Sequence, residues 1–179
     1  MLAAFIQGPL VRIIPVGLVL IALQRTLLVD FKVAGVVIEL LMATAAAAGV
    51  AGGSERGAIM GFTLGLMFDL VEGTPLGSAA ISLTIAGTVA GLLALVAADP
   101  QWWLGAIFVA LGTAAGVLMV PLVRLFIGEA HPFNSDLIVV VPVAAGAAAI
   151  MSPVLIPFAR WCLRVKRPEW KQPVADAPV

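Results

Sequence analysis

Apolar residues in this chain come in long blocks separated by short polar turns, and about 20 apolar residues is the length a helix needs to cross a hydrocarbon core. The first block runs from Leu10 to Val29. Its positive start and short apolar stretch imitate a signal peptide, but Gln24, Arg25 and Thr26 stand where a small-residue cleavage site would be needed. An uncleaved first span is therefore expected, with Pro15 tolerated near its start. Asp30, Phe31 and Lys32 form a polar turn, and Ala34 to Gly52 make a second span whose one charge is Glu39. Gly53 to Arg56 connect it to a third segment. From Gly57 to Phe68 this segment covers only ~18 Å at ~1.5 Å per residue, against a core of ~30 Å. Either Asp69 lies at membrane depth or the helix stops early. Gly73, Thr74 and Pro75 break the chain, because proline disfavours helical geometry at the residue before it. A fourth span follows from Leu76 to Ala98.

Asp99, Pro100 and Gln101 turn the chain again, with Trp102 and Trp103 placed for an interfacial aromatic belt. The fifth span is Leu104 to Ile127, carrying Pro121 and Arg124 in its last turns. Gly128 to Asp136 is the longest internal loop, in which His131 reads as an exposed residue and Asn134, Ser135 and Asp136 offer cap oxygens. The sixth span, Leu137 to Ala159, contains Pro142, Pro153 and Pro157. Carbonyls freed by these prolines need donors such as Ser152 or other helices. Residues 1–164 thus read as one transmembrane helix bundle, and 165–179 as a basic tail with too little apolar content to order itself.

Within the third segment, glycines recur at a spacing of four: Gly57, Gly61 and Gly65, then Gly73 and Gly77, with Asp69 in the same register. Residues four apart lie nearly above one another on a helix, so the first three open a groove where another backbone can come close. In water each would weaken a helix by about 0.8–1 kcal/mol, whereas in lipid such rows are how helices pack. Further small pairs, Gly49 and Gly53, Gly87 and Gly91, Gly112 and Gly116, point to close packing elsewhere.

Composition selects the lipid reading. The chain is 62% hydrophobic and 11% charged, far from the roughly 25% charged of an ordinary soluble domain, and its mean hydropathy is +1.14. The fold class expected is all-α, a polytopic membrane bundle of about six transmembrane helices. Net charge is zero, so no global field argues for nucleic acid. Six spans with a cytoplasmic amino terminus put Arg12, Arg56, Arg160, Arg164, Lys166, Arg167 and Lys171 inside and Arg25, Lys32 and Arg124 outside. Seven against three, accounting for all ten, agrees with the positive-inside rule and places both termini in the cytoplasm. The lone Cys162 excludes an intramolecular disulfide and reads as a structural thiol.

Ionisable groups at membrane depth need a partner or water. Asp69 and Glu39 are the foremost candidates, with Arg25 and Arg124 as available partners for Asp69, and ion pairing within the bundle stands beside a ligand- or partner-binding role. Gln24, Arg25, Glu39 and Arg124 form the expected intramembrane polar set, and Glu72 the solvated outer end. No serine elbow, HExxH, paired cysteines or phosphate-cradling glycine loop occurs, so no catalytic residue, metal or cofactor is expected.

The run GFTLGLMFDLVEGTPLG, preceded by LQRTLLVDFKVAGVVIEL, resembles the MreD family of rod shape-determining proteins. The matching positions are Gln24, Gly35, Glu39, Gly61, Phe62, Gly65, Leu66, Asp69, Gly73, Pro75, Leu76 and Gly77. Ile38 stands where that family has a proline, and Glu39 where it has aspartate. The resemblance implies a non-enzymatic inner-membrane scaffold of the bacterial cell-elongation complex. It would bind MreC and, through it, RodA, a class B penicillin-binding transpeptidase and MreB. It also implies a fold similar to the S-components of energy-coupling-factor transporters, with small-molecule (vitamin) binding as the alternative function. On this view Gly57, Gly61, Gly65, Asp69, Gly73, Pro75 and Gly77 seat the MreC transmembrane helix.

Overall fold

The computed structural model describes residues 10–28, 32–33, 36–37, 39–96, 101–128 and 137–164. Met1 to Pro9, Gly35, the turn at Asp99 and Pro100, His131, the cap residues Asn134 to Asp136 and the basic tail lie outside the described residues. Six α-helices occur among the described residues: α1 (Leu10–Leu23), α2 (Leu40–Gly52), α3 (Ser54–Glu72), α4 (Ser78–Val96), α5 (Trp102–Phe126) and α6 (Leu137–Leu163). The chain is an all-α bundle, and α4, α5 and α6 are each long and apolar enough to cross a membrane.

The first two spans differ from expectation at their shared end. After Leu23 the helix widens into a π-turn, Gln24–Leu28. The residues expected to open the second span instead form a short antiparallel hairpin, β1 (Lys32–Val33) and β2 (Val36–Val37), with Lys32 opposite Val37. Val33, Val36 and Val37 are β-branched and prefer an extended chain. What remains of the second span, α2, has 13 residues, about 20 Å at 1.5 Å per residue. It is short but central. Every residue from Leu40 to Gly49 is buried, because its alanine run lets α3, α4, α5 and α6 all approach it.

The core is built from small side chains, Ala45, Ala46, Ala47, Ala48, Ala86 and Ala90 among them, while large apolar residues such as Leu18, Phe62 and Ile150 point outward. This size order suits a bundle in lipid, where helices associate by close van der Waals approach and not by hiding leucine from water. Gly49 faces the backbone of Gly87, Gly112 faces Ala86 and Ala90, and Gly116 faces Met42 and Ala86. Gly17 brings α1 against Leu64 and Met67 of α3. At its start α1 also meets α6: Arg12 donates to the Trp161 carbonyl at 3.3 Å and stacks over the indole at 5.2 Å. Next to that contact Cys162 is fully buried, as expected of a structural thiol. In α6, Ser152 donates to the Ala149 carbonyl at 2.7 Å. That oxygen is the one Pro153 leaves without its helical donor.

Candidate functional site

Helix α3 buries one stripe, Gly57, Met60, Gly61, Leu64, Gly65 and Asp69, and α4 covers it. A methyl group added at Gly57 would meet the Gly87 carbonyl, one at Gly61 the Leu83 carbonyl, and one at Gly65 the Ala80 backbone, all under 3.0 Å. The groove expected to receive a partner helix is therefore already occupied by this chain's own α4. Glycine spacing marks this surface but not its occupant. Residues so near in sequence reach each other first, because closing a short loop costs little entropy.

Asp69 is the fastening at the end of that seam. It is 1% exposed, and its two oxygens accept from the Thr74 hydroxyl (2.8 Å), the Gly77 N–H (2.9 Å), the Ser78 hydroxyl (3.0 Å), the Ala79 N–H (3.0 Å) and the Ala80 N–H (3.3 Å). The carboxylate thus caps α4 from another helix, satisfying orphan N–H groups and meeting the positive end of the helix dipole. Ion pairing with Arg25 or Arg124 stood beside a binding role for this group; the contacts it makes are five neutral donors that fill both oxygens. The chain can fold back this tightly because Gly73 (φ 69°) ends α3 in the left-handed region and Gly77 (φ 100°) precedes α4 there too. Glycine spacing does not point to Thr74 and Ser78 as Asp69 partners, although a hydroxyl just before an apolar helical run is an N-cap signal.

Arg25 instead pairs with Glu72, so Glu72 is tied across to the π-turn and not merely solvated. One residue earlier, the Gln24 Oε1 accepts from the Leu41 N–H at 3.1 Å, capping α2 at a start where Glu39 makes no side-chain cap. These two contacts bring the end of α1 to the end of α3 and the beginning of α2.

Where α1, α3 and α5 end and α2 and α4 begin, the bundle leaves a partly open cavity of about 650 Å³. Polar groups of its lining are Gln24, Glu39, Thr74, Ser78, Ser82 and Arg124, and the rest is apolar, with Phe68, Leu83, Val120 and Val123 prominent. Glu39 and Arg124, of opposite formal charge, both belong to this lining. Three of the four expected intramembrane polar residues, Gln24, Glu39 and Arg124, thus converge on one cavity, and Arg25 stands beside it in the Glu72 pair. Pro75 also reaches the lining, whereas Gly57, Gly61 and Gly65 belong to the seam. Among the described residues no three His, Cys, Asp or Glu side chains gather to hold a metal ion. Comparison of the chain with protein-family models, curated proteins and solved structures returned no match.

Proposed function

We propose that this protein is a non-enzymatic inner-membrane scaffold of the bacterial cell-elongation complex, similar to MreD, which binds MreC and through it engages RodA, a class B penicillin-binding transpeptidase and MreB. The observation that carries this reading is that the residues of the resemblance act as one joint. Gly61 and Gly65 admit α4, Asp69 fastens its start, and Gly73 and Gly77 permit the turn. A motif whose positions are bound together by one geometry is hard to match by chance. In this reading all six helices lie in the membrane with both termini cytoplasmic, following the distribution of Lys and Arg. Because α4 fills the glycine groove, the MreC helix meets an outward face of the bundle.

Co-expression with MreC tests this. Single cysteines at Leu18, Phe62 and Ile150, all exposed, are introduced with Cys162→Ser. The expected result is co-purification of MreC and a cross-link confined to one face. Failure of MreC to co-purify with inserted, folded protein would end the scaffold reading. The cavity favours a second reading, an S-component-like subunit that binds a small molecule, because 650 Å³ lies inside the range of about 300–1,000 Å³ typical of such sites.

A further inference from the structure

The polar wall of the cavity has a direction. On the α4 side the hydroxyl protons are already committed: Thr74 and Ser78 donate to Asp69, and Ser82 donates to the Ser78 carbonyl at 3.2 Å. What these three oxygens present to the cavity is lone pairs, with the Glu39 carboxylate adding further acceptors. On the opposite side Arg124 supplies guanidinium N–H groups. Gln24, whose carbonyl oxygen is used by Leu41, retains its amide donors. A guanidinium has five N–H donors and a carboxylate about four acceptor sites, so each can serve a ligand beside its other partners. An anion alone would be repelled by Glu39, and a cation alone by Arg124.

We propose that this cavity binds a small zwitterionic amphiphile, its ammonium held by Glu39 and the Thr74, Ser78 and Ser82 oxygens, its anionic group by Arg124 and Gln24, and its hydrocarbon by Phe68, Leu83 and Val120. This deepens the small-molecule reading and rests on it. The chemistry fits either a free zwitterion of the amino-acid kind or the headgroup of an aminophospholipid entering with its chains outside.

The full chain in detergent is titrated with four probes: L-leucine, dioctanoyl phosphatidylethanolamine, dioctanoyl phosphatidylglycerol and octylammonium. Binding is read as a rise in thermal midpoint and as one-to-one adducts in native mass spectrometry. Leucine or phosphatidylethanolamine is expected to bind at least about ten-fold more tightly than the anionic and cationic probes. Which of the two binds identifies a free or a lipid source. Glu39→Gln should weaken binding about ten-fold or more, and Val120→Trp, which fills the cavity without touching either charge, should abolish it while the unliganded midpoint shows the variant folded. Tighter binding of phosphatidylglycerol or octylammonium would overturn the charge assignment and leave the small-molecule reading standing. Absence of binding by all four, with no adduct on the purified protein, would sink both.

Discussion

Adding one methyl group at Gly61 should cost the protein far more than the same change at Gly146. Both glycines lie inside helices, so the gain in helix propensity, about 0.8–1 kcal/mol in water and shared by both variants, cancels in their difference. What is left is steric. At Gly61 the new Cβ would lie 2.6 Å from the Leu83 carbonyl carbon and 2.9 Å from the Thr84 nitrogen, against an optimal separation of about 3.5–4.0 Å. These neighbours are backbone and cannot rotate away, so α3 and α4 must part by roughly 1 Å along a seam that carries much of the dispersion energy of the bundle. At Gly146 nothing lies within 4 Å. Overpacking of a close-packed interior costs about 1–3 kcal/mol, and a backbone collision belongs at the upper end. Gly61→Ala is therefore expected to unfold at least about 2 kcal/mol more easily than Gly146→Ala, a factor near thirty in the equilibrium. Denaturant titration of the purified variants in the same detergent reads this directly. Equal stability of the two would show that α4 does not lie in the glycine groove.

Asp69→Asn keeps the shape of the side chain but turns one oxygen into a donor aimed at donors. Since hydrogen bonds to a charged group contribute about 1.5–3 kcal/mol each, a loss of about 3 kcal/mol or more is expected in the same titration, and a change below 0.5 kcal/mol would refute the capping role. Thr113, 1% exposed, has a hydroxyl without a hydrogen-bond partner among the described residues. Thr113→Val should therefore stabilise by about 1 kcal/mol, and a marked fall in thermal midpoint would expose a hidden partner. Arg25→Gln breaks a pair whose arginine is 49% exposed, so the effect should stay under about 1 kcal/mol. A loss of several would mean that this pair holds the end of α1 in place.

Much of the bundle was legible from the order of residues because lipid imposes strong rules: the long apolar blocks became α4, α5 and α6, and the proline and glycine interruptions became the break between α3 and α4. The beginning of α2 was not legible. Hydropathy places Val36 and Val37 inside a span from Ala34, but β-branched residues favour extended chain, and a hydropathy window is blind to that preference. For the site, spacing located the groove and the acid together. It could not distinguish a partner's helix from the next helix of the same chain, since both present the same small residues to it. The convergence of Gln24, Glu39 and Arg124 on one cavity depends on how five helices end, and no local pattern encodes that.

Asp69 was open to two readings, a structural anchor or a functional group, and its geometry removes the opposition. By accepting from Thr74 and Ser78 the carboxylate fixes which way those hydroxyl protons point, and so decides that their lone pairs are what the cavity meets. The same bonds hold the first turn of α4 against α3, which sets the position of Ser82 and Leu83 on the cavity wall. A neutral amide of equal size keeps only one acceptor oxygen where five donors converge, so it can hold some of these groups but leaves others without a partner. The charge at Asp69 is thus spent wholly inside the joint, yet through Thr74 and Ser78 it orients groups that line the neighbouring cavity.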